Sequence, residues 1–153
     1  MTAGVGPVSG TKFYIGQAGG IPTSPDLFIE VGDISNLGDI SQTFAEIAVE
    51  SLGSGDTYQL KGQRSFPNVQ LVLNKNDSDV GQIALKAASS ASRGTLYPFK
   101  IQEVDGGATT AGSVTWTGEV FGYGPAYGGV SALRSVKTSV SIRPSTLTIT
   151  LGT

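Results

Sequence analysis

Cysteine and histidine are both absent from these 153 residues. Without them a disulfide framework, a thiolate nucleophile, a Cys/His zinc site and a Ser-His-Asp triad are excluded. Charge is scarce as well. Asp, Glu, Lys and Arg make up 14% of the chain, against about 25% in ordinary soluble domains. The formal net charge of −2 leaves no surplus of cations for the basic stripe that a sequence-reading nucleic-acid binder needs. It leaves open a protein that lets DNA pass without holding it. No apolar run approaches the roughly 18 residues of a membrane span. Residues 1–7, Met-Thr-Ala-Gly-Val-Gly-Pro, have neither the basic segment nor the apolar core of a signal peptide. The expectation is a protein made in the cytoplasm, with no membrane partner.

What the chain does have is glycine, 22 residues of it, with much Ser and Thr. A weakly charged surface of this kind is poorly soluble unless other copies cover it. A plain Gly/Ser/Thr-rich β domain has the same composition, so this point stays open. The length fits one domain with a core of its own. Residues 1–26 are dense in Gly and Pro and read as an extended arm holding one short strand, Lys12-Phe13-Tyr14-Ile15. Residues 27–153 read as a single β domain.

Period-2 alternation, the mark of strands with one buried face, begins at residue 44. Ala45, Ile47 and Val49 alternate with Glu46, Ala48 and Glu50. Val69, Leu71 and Leu73 alternate with Asn68, Gln70 and Val72. Residues 113–123 set Val114, Trp116 and Val120 on one side. Residues 135–143 do the same with Val136, Val140 and Ile142, and residues 146–151 with Leu147, Ile149 and Leu151. A further strand over 97–104 ends at Asp105-Gly106-Gly107. So many short strands mean a sandwich or barrel. One helix interrupts them. Asp79 is its N-cap, Gln82 the capping-box partner, and Val80, Ile83, Ala84, Ala87 and Ala91 its core stripe, with Gly94 as stop. The fold class is mainly β: a β-sandwich or barrel with one packed α-helix. Two polar connections stand out, residues 51–65 and the Gly/Tyr-rich residues 122–129. Long loops tend to be functional, and tyrosines suit an interface as well as the end of a core.

Catalytic and metal motifs fail one by one. Ser9-Gly10-Thr11-Lys12 has the Ser-x-x-Lys spacing but sits in a Gly/Pro segment without partner motifs. Gly4-Val5-Gly6 and Gly53-Ser54-Gly55 do not open a helix after a strand, as a phosphate cradle must. Asp77 and Asp79 lack calcium-loop spacing and read as helix-start residues. Glu46 and Glu50, four apart on one strand face, have Cα atoms about 13 Å apart, too far for a glycosidase pair. No catalytic residue, metal ligand or cofactor is expected.

Residues 28–40, Phe-Ile-Glu-Val-Gly-Asp-Ile-Ser-Asn-Leu-Gly-Asp-Ile, resemble the opening of the major tail tube proteins of long, non-contractile-tailed bacteriophages. The order that follows is also similar: Val49-Glu50-Ser51-Leu52, a long loop, Val69-Gln70-Leu71-Val72-Leu73, an Asp-rich turn, one helix over 80–91, and closing Ser/Thr-rich strands. The resemblance spans residues 28–151 and lacks an appended immunoglobulin-like domain. It implies a structural virion protein whose six copies form a ring, with sheets joined edge to edge into one large barrel. Rings stack around a tape-measure protein, between tail tip and tail terminator proteins, and genome DNA later passes through. It further implies that residues 51–65 and the arm bridge subunits and rings. On this chain that singles out Leu52, Asp56, Tyr58, Lys61 and Arg64 in the loop, and Phe13 and Tyr14 in the arm.

A channel for DNA favours neutral or acidic walls over basic ones. Glu46, Glu50, Asn68 and Gln70 are therefore the candidate lumen-facing residues. The competing reading is a carbohydrate- or ligand-binding β-sandwich with Trp116, Tyr123 and Tyr127 as a stacking platform. Trp116 shares its face with Val114 and Val120, which points it inward instead.

Overall fold

The computed structural model describes residues 9–22, 27–104 and 111–152. The turn expected at 105–107 and much of the Gly/Pro-rich segment fall outside them. Among the described residues the chain builds two sheets, one projecting hairpin and one α-helix. The first sheet joins β11 (Thr148–Thr150), β8 (Ser113–Gly118), β7 (Tyr97–Gln102), β1 (Lys12–Ile15) and β2 (Ile29–Val31), in that order. The second joins β3 (Ile34–Asn36), β6 (Val69–Asn74), β10 (Ser135–Val140) and β9 (Val120–Ala126). Strands β4 (Thr43–Glu50) and β5 (Thr57–Ser65) pair only with each other. Every pairing is antiparallel.

The inward faces of the two sheets meet in one core. Val69, Leu71, Leu73, Val136 and Val140 face Phe13, Ile15, Phe99, Val114 and Trp116, as the alternation requires. Phe13, Phe99 and Trp116 form an aromatic cluster with centroids 5.8 to 6.2 Å apart. Each buried aromatic contributes up to about 4–6 kcal/mol of hydrophobic stabilisation. That placement decides against the stacking platform: Trp116 is 0% exposed.

It also corrects the arm. Lys12–Ile15 is no free extension but an interior strand, registered Phe13 to Ile101 on one side and Phe13 to Val31 on the other. Phe13 is 0% exposed, so it cannot serve a neighbouring subunit. The short strand is as expected; its place between β7 and β2, in the core and not in an arm, is set by partners distant in the chain. Tyr14, on the opposite face, remains half-buried.

The run 113–123 is not one strand. β8 lies in the first sheet and β9 in the second, with the chain crossing at Gly118-Glu119. A Cβ on Gly118 would run into the Ser141 carbonyl oxygen, so only glycine lets the backbones approach this closely. The Gly/Tyr-rich residues 122–126, read above as a loop, belong to β9 and pair with β10. Residues 146–151 depart as well: β11 is an edge strand of three residues, and Ile149 and Leu151 are exposed.

Helix α1 (Val80–Ser89) starts as expected. The Asp79 carboxylate accepts from the Gln82 backbone N–H at 2.9 Å and from the Gly32 N–H at 3.0 Å. Its buried face differs from the expected stripe. Gly81, Gln82, Leu85 and Ala88 are buried, while Val80 and Ile83 are exposed. The reason is Gly81, which presses against the Glu30 carbonyl and the Val31 Cα, where no side chain fits. That contact turns the helix by about one residue. Gln82 does not close a capping box either. Its amide donates to the carbonyls of Asn74 (2.9 Å) and Gly32 (3.2 Å) and accepts from the Asn76 N–H at 3.1 Å. The Gly32-Asp33-Ile34 motif thus anchors the helix start, with Asp33 at a positive φ of 60° and accepting from Asn76 Nδ2 at 2.7 Å.

Candidate assembly surfaces

Residues 51–65 are mostly strand. The true loop is six residues, 51–56, closed by the Ser51 N–H on the Asp56 carbonyl (3.1 Å) and the Gly55 N–H on the Ser51 carbonyl (2.9 Å). Gly55 takes the positive φ of 72° that this turn needs. From it β5 runs back along β4, pairing Glu50 with Thr57, Val49 with Tyr58, Ile47 with Leu60 and Glu46 with Lys61. Seven residue steps separate root from tip, a reach of about 23 Å.

The expected buried face of β4 is not buried. Ile47, Tyr58 and Leu60 are 51%, 53% and 51% exposed on the apolar side of the hairpin. The other side carries Phe44, Glu46, Ala48, Glu50, Gln59 and Lys61, with the Lys61 ammonium 5.0 Å from the Phe44 ring centroid. Alternation reports that a strand is two-faced; it does not report whether its own chain covers either face. At the root the Thr43 and Ser65 hydroxyls, 2.9 Å apart, close the two strands on each other, and Arg64 ties the hairpin to the body by donating to the Pro144 carbonyl at 3.3 Å. Leu52 at the tip is fully exposed. The five loop candidates therefore share one hairpin: Leu52 and Asp56 at the tip, Tyr58 on the apolar face, Lys61 on the opposite face, Arg64 at the root.

The four lumen candidates do not share a surface. Glu46 and Glu50 ride on the hairpin, whereas Gln70 belongs to the second sheet and Asn68 immediately precedes its strand β6. Gln70 lies on that sheet's outer face, where its amide donates to Ser139 Oγ at 3.2 Å. The four strands of this sheet carry a single charged side chain, Lys137. Its edges are β3 and the seven-residue β9, so among the described residues β9 leaves one row of backbone groups without a strand partner.

No protein-family model matches the sequence, and no curated protein matches it. Solved structures do. The sheath/tube terminator of the PVC extracellular contractile injection system, in the extended state, is similar at 13% identity and a TM-score of 0.62, covering 95% of this chain and 97% of that one. The sheath-tube complex of the PVC system gives 14%, a TM-score of 0.61, and coverage of 95% and 92%. The tube-terminating cap of the anti-feeding prophage gives 15%, a TM-score of 0.59, and coverage of 99% and 96%. This is a tail-tube-like fold. At these identities the likeness is one of fold, and it spans nearly the whole length on both sides. The tail-tube-like fold bears out the mainly β architecture with one helix. Two of the three neighbours are described as parts of an extracellular contractile injection system.

Sequence reasoning missed one feature entirely. A groove of about 590 Å³ opens between the start of α1 and strand β9, lined by Lys75, Ile83, Lys86, Tyr123, Pro125 and Tyr127, among others. Lys75 pairs with Asp77 at 2.6 Å, and this hydrogen bond holds the Asp77 carboxyl below the usual range. Burial raises the Tyr123 phenol above its ordinary value, with the Asp77 charge adding to it. The signal was present in Ile83, an apolar helix residue that lines the groove and is exposed. Its place in the expected core stripe concealed it.

Proposed function

We propose that this chain is a structural, non-enzymatic subunit of a bacteriophage-type tail tube, six copies forming a ring and rings stacking around a channel. The observation that carries the proposal is the hairpin β4–β5. A two-stranded hairpin with both faces in water is marginally stable, and this one is apolar on one side. Neighbouring copies supply the cover it lacks. The tail-tube-like fold supports the same reading. So does the open edge of β9, since edge-to-edge pairing around a closed ring removes an edge that otherwise templates aggregation.

In such a ring the outer face of the β3-β6-β10-β9 sheet lines the channel, with Gln70 and Asn68 on or beside it. With Lys137 the single charge on its four strands, this face is close to neutral, not acidic as expected, and gives genome DNA little to hold. Glu46 and Glu50 go with the hairpin. A tape-measure protein inside, a tip below and a terminator above complete the particle, which is made in the host cytoplasm and ends as part of the virion. A second reading, the inner tube of a contractile particle, is favoured by the fold likeness to sheath-tube assemblies. Sizing chromatography and negative-stain microscopy of purified protein test the proposal. Rings or tubes are expected, and a sheath in native particles would select the second reading. A chain that stays monomeric at high concentration, even when seeded with authentic tails, overturns both.

A further inference from the structure

Between Ile47 and Leu60 the hairpin carries two charges, Glu50 and Asp56, and no cation. Both flank the exposed Leu52. The tip is thus an apolar knob between carboxylates. The groove beside α1 has the opposite character. Ile83, Tyr123, Pro125 and Tyr127 give it apolar walls, and Lys75 and Lys86 lie in its lining. Arg134 adjoins it, since its carbonyl accepts from the Lys75 N–H at 2.9 Å. Against these three cations stand Asp77, in the lining and paired with Lys75, and Asp79, whose charge also reaches Tyr123. No hairpin residue of the same chain reaches the groove.

We infer that this groove receives the hairpin tip of a second copy of the chain, Leu52 seating against Ile83 and Tyr127 while Glu50 and Asp56 meet Lys75, Lys86 and Arg134. The inference rests on the self-assembly reading and adds to it the acceptor site. Charge complementarity selects this groove over others. The depression around Thr11 and Gly38 carries no charged side chain, and the one between Gly20 and Thr146 carries only Arg143. An apolar anchor ringed by complementary charges gives both affinity and register. It also accounts for the exposed Ile83 and Tyr127, which a lone subunit leaves in water.

The chain contains no cysteine, so a designed pair reports without background. Full-length protein carrying Leu52→Cys and Tyr127→Cys is assembled, oxidised and run on a non-reducing gel. A ladder of cross-linked subunits is expected from the double variant, and no ladder from either single variant. Independently, Glu50→Lys and Lys86→Glu should each raise the protein concentration needed for assembly about tenfold or more, and the two together should restore it. Tubes that form normally with no ladder, or with charge reversals that leave assembly unchanged, overturn the docking site and leave the tube reading intact. Absence of wild-type assembly removes both.

Discussion

At the scale of single residues, the chain's stability rests on a few side chains whose roles can be separated by experiment. Phe13 is the sharpest case, because the same residue would be dispensable for folding in an arm and indispensable in a core. Buried among Phe99 and Trp116, its replacement in Phe13→Ala should cost about 3–5 kcal/mol, read as a lower midpoint of urea unfolding. Gln82 is buried and satisfies two carbonyls and one N–H. Gln82→Leu would leave those groups unpaired and should cost about 1–3 kcal/mol in the same measurement. Tyr123 supplies a pH signature. Its folded value is raised, chiefly by burial, so its contribution is complete below the unfolded value near 10 and is lost as pH climbs through the folded one. The alkaline fall in stability above pH 10 should be shallower in Tyr123→Phe, measured by thermal unfolding across pH 9 to 11.

At the scale of elements, β4–β5 differs from all the others in having no core behind it. Strands β6 and β10 bury alternate residues completely, whereas the hairpin is exposed along almost its whole length. Local opening follows burial and contact density. In dilute protein, amide hydrogens of residues 44–64 should exchange orders of magnitude faster than those of β6 and β10. In assembled tubes they should become protected. Helix α1 carries a related lesson. It has two apolar stripes, Leu85 with Ala88 facing in and Val80 with Ile83 facing out, and a period of 3.6 cannot say which faces the core. The close approach at Gly81 decides it.

For the whole molecule, the two sheets and the helix form a closed core to which the hairpin adds nothing. Thr43 and Ser65 face each other at its root, so residues 44–64 can be replaced by a two-residue Asn-Gly turn without stretching the chain. That variant should unfold within a few degrees of the parent and should form no tubes. Assembly in its presence would show that ring contacts lie elsewhere. Unfolding of the variant alone would show that the hairpin belongs to the core. In the proposed assembly, the low charge of the molecule, 14% of residues, becomes surface that neighbouring copies would cover.

Alternation of apolar side chains by itself determined the mainly β class, the inward residues of β6, β8 and β10, and the presence of one helix capped by Asp79. The absence of Cys and His removed thiol, triad and zinc chemistry with no structure needed. These features are local, written in residues two to four apart. Tertiary structure alone decided the rest. Phe13 became core because β7 and β2 lie on either side of it. Residues 113–123 divided at Gly118 because Ser141, just past the end of β10, approaches it closely. The hairpin stayed bare although its alternation matches that of β6. Whether a two-faced strand is covered depends on residues distant in the chain, or on a second chain, and the period of a sequence contains neither.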